Sequence, residues 1–337
     1  MTNLYHPNAR FLVTGGAGLI GSAIVWGLNR RGMTNIIVSD LLGTSEKWRN
    51  LTPLRFADYV EADDLLPRLE SGALGKFDAI FHLGACSATT ERDATYLIRN
   101  NFEFTKDLAR WALRTPARFL YASSAATYGD GAAGMADTEE DLHRFRPLNM
   151  YGYSKHLFDL YARREGWLSR IVGLKYFNVF GPNEDHKAEM RSVVHKSFAQ
   201  VLEEGVIRLF RSHRPDYQDG EQKRDFLYVK DAVAMTLHLA ENREANGLYN
   251  IGSGIAHSWN ELARAIFSSL DREPRIEYID MPEALREKYQ YYTRADIGRL
   301  ARAGYTWPVR PLEEAVADYV TGYLVPDRRL GDCPDEA

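Results

Sequence analysis

Ser124, Tyr151 and Lys155 are the residues whose types and spacing most clearly imply chemistry. In Tyr151-Gly-Tyr-Ser-Lys155 the phenol and the ammonium stand four residues apart, which puts them on one face of a helix. Removing hydride from an alcohol carbon requires the hydroxyl proton to leave as well. A tyrosine, with an unperturbed pKa of about 10, accepts that proton poorly near neutrality. An ammonium within a few ångströms stabilises the phenolate, and one opposite charge is worth about 1–3 pKa units. Ser124, at the end of an apolar run, can hydrogen-bond the same oxygen as it becomes a carbonyl. Tyr153 is the competing tyrosine, but two residues from Lys155 it falls on another helix face. Because Tyr-x-x-x-Lys recurs by chance, its context has to carry the reading.

That context begins at Val13-Thr14-Gly15-Gly16-Ala17-Gly18-Leu19-Ile20-Gly21, an apolar run passing through a glycine-rich turn into a helical pattern. Glycines let backbone amides approach a pyrophosphate at the positive end of the helix dipole, and Gly21 permits close packing of helix on strand. Asp40 ends the second apolar run, about twenty residues further on, where a carboxylate accepts hydrogen bonds from an adenine-ribose diol. Taken alone it argues for NAD. Lys47, with Arg49 as a second cation, can instead approach a 2'-phosphate, so the choice between NAD and NADP stays open. The run Leu83-Gly84-Ala85-Cys86-Ser87 closes the fourth apolar segment, where a dinucleotide crosses the carboxyl edge of a sheet. Cys86 reads as a small packing residue there.

The elements that must position these residues alternate strand with helix. Strands are expected at 11–14, 36–39, 56–60, 77–83, 119–123 and 171–177, and helices at 20–31, 93–113 and 151–164. This is an α/β pattern: a Rossmann-type doubly wound parallel sheet. After Gly181-Pro182 a helix is expected at 191–203, a strand at 206–210 and a polar loop at 211–225. A strand and helix then resume at 226–240, with a further strand at 249–252. The lobes therefore interleave: residues 1–178 with about 226–253 form the NAD(P)-binding domain, about 179–225 with 254–330 form a smaller α/β substrate-binding lobe, and 331–337 are a frayed tail.

At 337 residues and 45% hydrophobic content the chain can build two such lobes. A net charge of -4 gives no basic excess of the kind that draws a protein to nucleic acid or an anionic membrane. The first ten residues lack a signal peptide's basic and apolar regions, and no apolar run reaches the roughly 18 residues of a membrane span. The two cysteines, Cys86 and Cys333, read as reduced thiols of a cytoplasmic protein. No metal-ligand spacing is expected.

With these motifs in hand, the chain resembles the extended short-chain dehydrogenase/reductase family, and within it the family of ADP-glycero-manno-heptose 6-epimerases. Gly84-Ala-Cys-Ser87, Tyr121-Ala-Ser-Ser124, Pro147-Leu-Asn-Met-Tyr151, Tyr176-Phe-Asn-Val-Phe-Gly-Pro182, His186-Lys187 and Lys288-Tyr-Gln-Tyr-Tyr-Thr-Arg-Ala-Asp296 carry the likeness over nearly the whole chain. The resemblance implies a bacterial enzyme of lipopolysaccharide core precursor synthesis. Its NADP, one per subunit, is retained through turnover while C6 of an ADP-heptose passes through a 6-keto intermediate. It further implies a homo-oligomer, a pentamer in family terms.

Carried over residue by residue, the family pattern implies acid/base roles for Tyr151 and for Lys187. Lys155 would serve both cofactor and proton transfer, and Leu41 and Asn100 would join the cofactor contacts. Ser124, Asn178, Glu189, Lys196, Phe210, Arg214, Arg224 and Tyr289 would contact substrate. Arg224 suits phosphate because its planar fork binds in two places. The sequence departs from the family pattern at Leu41, at Glu189 and in the longer loop 211–220. A 4,6-dehydratase needs a carboxylate after the catalytic serine, and Ala125-Ala126-Thr127 supplies none. A UDP-hexose 4-epimerase needs the same Ser, Tyr and Lys and is the enzymatic alternative, while a non-catalytic dinucleotide-binding protein would have no use for the three together.

Overall fold

Every residue of Phe11–Thr14, Ile36–Asp40 and Ala79–His82 is buried. Such unbroken burial, without polar alternation, is what a strand covered by helices on both faces requires. A computed structural model describes residues 4–286 and 289–333. Lys288 of the late tyrosine-rich motif and residues 334–337 of the expected tail lie outside the described residues.

The strands in chain order are β1 (Phe11–Thr14), β2 (Ile36–Asp40), β3 (Asp58–Glu61), β4 (Ala79–His82), β5 (Arg118–Ser124), β6 (Val172–Tyr176), β7 (Asn178–Phe180), β8 (Ile207–Phe210), β9 (Lys223–Arg224), β10 (Phe226–Tyr228), β11 (Gly247–Ile251), β12 (His257–Ser258) and β13 (Ile276–Ile279). Seven of them form one sheet in the order β11-β6-β5-β4-β1-β2-β3. Every pairing in it is parallel. From β1 the chain winds outward through β2 and β3, then crosses to β4 and winds the other way. This is the doubly wound Rossmann arrangement, and its switch point opens a crevice at the carboxyl ends of β1 and β4.

Side-chain alternation sorts the strands between two cores. Phe11, Val13, Ile36, Val38, Ala79 and Phe81 join one core, while Leu12, Ile37 and Ile80 join the other. Helices α1 (Leu19–Asn29), α2 (Ala62–Glu70), α3 (Ala94–Leu97), α4 (Phe104–Ala112), α5 (Met150–Arg164), α6 (Val193–Glu203), α7 (Val229–Glu241) and α8 (Trp259–Ser269) cover them. Ile24 and Leu28 of α1 share the first core with Val233 and Leu237 of α7; Leu108 of α4 and Phe158 of α5 lie in the second. At Gly27 a Cβ would stand 2.5 Å from Val233 Cγ1, so a glycine is what brings α1 this close to α7.

Two expected elements differ in an informative way. The helix expected at 93–113 is α3 and α4 joined by a wider π turn, Ile98–Glu103, with the Asp93 carboxylate capping its start by accepting the Tyr96 N–H at 2.9 Å. The strand expected at 171–177 stops at Tyr176, and the Phe177 N–H turns to the Ile251 carbonyl of β11 (3.0 Å) before β7 begins. Beyond the main sheet, β7 pairs with β10, β8 with β13 and β9 with β12. No helix among the described residues is long and apolar enough to cross a membrane.

Candidate active site

The turn after β1 is glycine-rich because backbone, and not side chain, must fill it. Gly15 has φ +66°, and a Cβ on it would lie 2.6–2.8 Å from the backbone of Leu83 and Gly84 after β4. A Cβ on Gly21 would lie 2.0 Å from the Gly15 carbonyl oxygen. Helix α1 starts at Gly18 with no side-chain cap, so the first-turn amides have no side-chain acceptor and Leu19, Ile20 and Gly21 line the cleft. Those amides suit an anionic pyrophosphate.

At the far side of this turn, the Asp40 carboxylate accepts from the Ala17 N–H (2.9 Å), the Leu41 N–H (2.7 Å) and Lys47 Nζ (2.6 Å). Asp40 and Lys47, opposing indicators of cofactor choice in the sequence, thus form one ion pair. A smaller pocket beside it is lined by Leu41, Asn100 and Tyr96 and shares Gly84, Ala85 and Cys86 with the main cleft. Together these surfaces fit an elongated dinucleotide.

The loop Gly84–Ser87 is held by Asn101, which sequence reasoning missed. Asn101 Oδ1 accepts the Cys86 N–H, and its Nδ2 donates to the Cys86 carbonyl (2.9 Å each) and to Ser154 Oγ (3.0 Å). Ser154 Oγ donates onward to the Tyr151 carbonyl at 2.7 Å. The π turn is what aims Asn101 inward, as such bulges do at functional sites.

Ser124, Tyr151, Lys155 and Lys187 line the same cleft of about 480 Å³ as Gly15, Gly18 and Gly84–Ser87. Ser124 ends β5, its Oγ accepting the Ala126 N–H at 3.1 Å. Asn149 caps α5 by accepting the Gly152 N–H at 2.8 Å, which sets Tyr151 in the first turn and Lys155 one turn on. Tyr153 points elsewhere and is 45% exposed. The downward tuning expected for the phenol is not present in the protein alone. Burial raises Tyr151, a hydrogen-bonding interaction with Ser124 opposes this, and Cys86 adds to it. Burial likewise lowers Lys155 to about 8, against the pull of Asp159 and Cys86. Loss of water disfavours both charged forms at once, so phenolate formation requires further positive charge in the cleft.

Lys187 comes from a 3-10 segment, Asp185–Met190, that the sequence pattern did not resolve. Ala188 beside it has φ +46°, a conformation a residue with a Cβ holds only when its surroundings impose it. Burial lowers Lys187, with Glu184 opposing, and burial lowers the neighbouring His186 to about 4, leaving it neutral at physiological pH. Fully buried Glu184 accepts from the Ser192 N–H (2.7 Å), Ser192 Oγ (2.5 Å) and the Tyr319 hydroxyl (3.0 Å), fastening the segment to α6 and the C-terminal helix. Asn50 Nδ2 donates to the carbonyls of Ala17 (2.9 Å) and Asn183 (3.0 Å), joining the glycine turn to the Lys187 segment.

None of the other expected substrate contacts lines this cleft. Arg224 is buried with its guanidinium 4.9 Å from the Tyr289 ring centroid and 5.7 Å from that of Trp259, and its Nη1 donates to the Lys223 carbonyl at 2.9 Å. The Tyr289 hydroxyl accepts from Trp259 Nε1 at 2.8 Å. No carboxylate pairs with Arg224 among the described residues, and burial lowers its pKa. Phe210 is half-buried at the end of β8, and Asn178 is exposed at the start of β7. Glu189, Lys196 and Arg214 are exposed: Lys196 Nζ donates to the Glu189 carbonyl (2.9 Å), and Arg214 is paired in two places with Asp216.

Comparison with known proteins places the chain among sugar-nucleotide epimerases. The model of the NAD dependent epimerase/dehydratase family matches residues 11–252. The ADP-L-glycero-D-manno-heptose-6-epimerase of Nitratidesulfovibrio vulgaris is 54% identical over 93% of this chain and 98% of its own length. That of Fusobacterium nucleatum is 43% identical over 93% and 97%. Among solved structures, the Helicobacter pylori ADP-L-glycero-D-manno-heptose-6-epimerase superposes with a TM-score of 0.78 at 26% identity, over 94% of this chain and 98% of that one. UDP-N-acetylglucosamine 4-epimerase from Methanobrevibacter ruminantium gives a TM-score of 0.80 at 25% identity, over 95% and 100%.

Proposed function

The chain belongs to the NAD dependent epimerase/dehydratase family, and from that premise we propose that it inverts C6 of the heptose in ADP-D-glycero-β-D-manno-heptose. The product is ADP-L-glycero-β-D-manno-heptose, a precursor of the lipopolysaccharide core. The observation that carries this reading is the arrival of Lys187, from a separate element, in the cleft lined by Ser124, Tyr151 and Lys155. Inversion at one carbon leaves the substrate oxygen in two poses, and two proton carriers can serve them.

A nicotinamide held by the Gly15–Gly21 turn and the Gly84–Ser87 loop would supply hydride acceptance from C6 and hydride return to the opposite face. Tyr151 takes the C6 hydroxyl proton in one pose, with Ser124 hydrogen-bonded to the same oxygen. Lys155 contributes its charge to the phenol against the burial that raises Tyr151, and an oxidised nicotinamide would add positive charge there. Lys187, eased toward proton release by burial, serves the oxygen after the carbonyl has turned. Arg224, set beside the Tyr289 and Trp259 rings, presents a planar guanidinium to the ADP diphosphate.

On this reading the cofactor is NADP, one per subunit, and Lys47, now paired with Asp40, is the cation that would meet a 2'-phosphate. Residues 1–178 and about 226–253 bind it, and residues about 179–225 and 254–330 bind the sugar nucleotide. The enzyme works in the bacterial cytoplasm as a homo-oligomer. The test incubates purified protein with ADP-D-glycero-β-D-manno-heptose, without added reductant, and follows C6 stereochemistry by proton NMR. Conversion is expected; unchanged substrate beside an active authentic enzyme rejects the reading. Conversion of a UDP-hexose at C4 instead would mark the protein as a 4-epimerase.

A further inference from the structure

Behind the catalytic side chains lies an ion pair that the chemistry described so far leaves unused. Asp159, on α5, and Lys175, on β6, are both completely buried and 2.6 Å apart. Asp159 Oδ1 also accepts from the Tyr121 hydroxyl (2.8 Å), and Oδ2 from Ser123 Oγ (2.7 Å). Lys175 Nζ donates to Thr127 Oγ1 (2.7 Å) and stands 4.9 Å from the Tyr128 ring centroid. Thr127 Oγ1 in turn donates to the Ser124 carbonyl at 2.7 Å. Stability alone gives little reason for such a pair, because an apolar pair of the same volume is often as stable as a buried ion pair.

Its position supplies the reason. Asp159 is four residues beyond Lys155 on the same face of α5, and its partners Ser123 and, through Thr127, Ser124 end the strand that carries the catalytic serine. The groups facing Lys155 are Tyr151 and Asp159 on its own helix, with His82 at the end of β4 and Cys86 in the loop after it; Lys187 lines the same cleft. Around Asp159 stand Tyr121 of β5, Lys175 of β6 and His156 of α5. Asp159 is the one carboxylate among these described residues.

We propose that Asp159, anchored by Lys175, is a positioning residue for the oxidoreductive step: it holds Lys155 in the charged form and, through Lys175 and Thr127, holds Ser124 in register with Tyr151. The inference rests on the function proposed above for Tyr151 and Lys155. Asp159 acts through Lys155 and touches no substrate. Burial works against the Lys155 ammonium, and Asp159 is the largest influence opposing it.

The test titrates Lys155 in the full-length protein by lysine-selective 13C NMR, with the Lys155→Met spectrum identifying its resonance. Asp159→Asn alone strands a buried ammonium, so the variant of choice is Asp159→Asn/Lys175→Met, which removes both charges with little change of shape. Its Lys155 midpoint is expected to fall measurably, though by less than the about one pH unit of a single nearby charge, because the opposing charge of Lys175 is removed together with that of Asp159. Lys175→Arg keeps both charges and should titrate as the parent does. A double variant that titrates like the parent overturns the proposal, as does a Lys175→Arg midpoint displaced equally, which would mark general loosening. The titration needs no substrate, so a parent protein inactive on ADP-heptose would reject the substrate reading without touching this result.

Discussion

Replacing Glu184 by alanine should loosen the segment that carries Lys187, and the cost can be worked from its contacts. The carboxylate is fully buried and accepts three hydrogen bonds, two from Ser192 and one from Tyr319. Ser192 is only half-buried, so its freed hydroxyl can donate to water while still accepting the His195 N–H at 3.2 Å, and that loss is minor. The Ser192 N–H and the Tyr319 hydroxyl, the latter 1% exposed, are left without an acceptor. At about 1–3 kcal/mol for each stranded donor, the penalty is about 2–6 kcal/mol. A chain of this length shifts its melting temperature by about 1.4 °C per kcal/mol, which gives a fall of about 3–8 °C by calorimetry. Glu184→Gln keeps the shape and one acceptor and should recover about half of the loss. Removing the charge also takes away the influence that opposes burial at Lys187, so in Glu184→Gln the Lys187 ammonium should be lost at lower pH and epimerisation should decline earlier on the alkaline side. A Glu184→Ala protein that melts with the parent and turns over at the parent rate would refute the reasoning.

Tyr151→Phe should bind NADP with unchanged affinity by fluorescence titration yet lose about 10²- to 10⁴-fold in kcat, the usual contribution of a general base; parent-like turnover would remove Tyr151 from the chemistry. Lys187→Met should slow net inversion by about 10²-fold or more at unchanged cofactor affinity, measured by NMR at C6, and full activity would eliminate the second proton carrier. The Lys155 ammonium is lost as pH rises through about 8, so kcat/KM should decline above about pH 8; a profile flat from about pH 8 to 10 would show that this charge is not required. Lys47→Met should weaken NADP about tenfold relative to NAD, the scale of one charge-assisted contact, and equal losses for both would place the 2'-phosphate elsewhere.

The parts of the site legible in the sequence are those set by local spacing. The order of strand, glycine turn and helix from Phe11 to Asn29, the placement of Asp40 at the end of β2, and the shared helix face of Tyr151 and Lys155 all follow from neighbours within a few residues. What sequence reasoning missed depends on partners far along the chain. Glu184 meets Tyr319 across 135 positions, Asn50 meets Asn183 across 133 and Asn101 meets Ser154 across 53. No periodicity announces such bonds. Lys175 illustrates the difficulty well: within an apolar strand pattern it looks like a misplaced charge, and only the fold sets Asp159 against it. The π turn before Phe104 was equally hidden, because one widened turn barely alters a helical apolar pattern.

The last strand of the main sheet also constrains how the protein is made. β11 pairs with β6 only after the chain has run from Tyr176 to Gly247 through β7–β10, α6 and α7. A ribosome adding about 5–20 residues per second emits the 75 residues from Tyr176 to Ile251 in about 4–15 s. Throughout that interval β6 is an unpaired edge whose residues other than Lys175 are uncharged and all of which end up buried, the kind of edge that recruits a neighbouring chain. Nascent protein should therefore be most prone to misassociation, and most dependent on chaperones, before Gly247–Ile251 emerges. A chain truncated short of Gly247 would carry the complete Ser124, Tyr151 and Lys155 set on a sheet with nothing to close it.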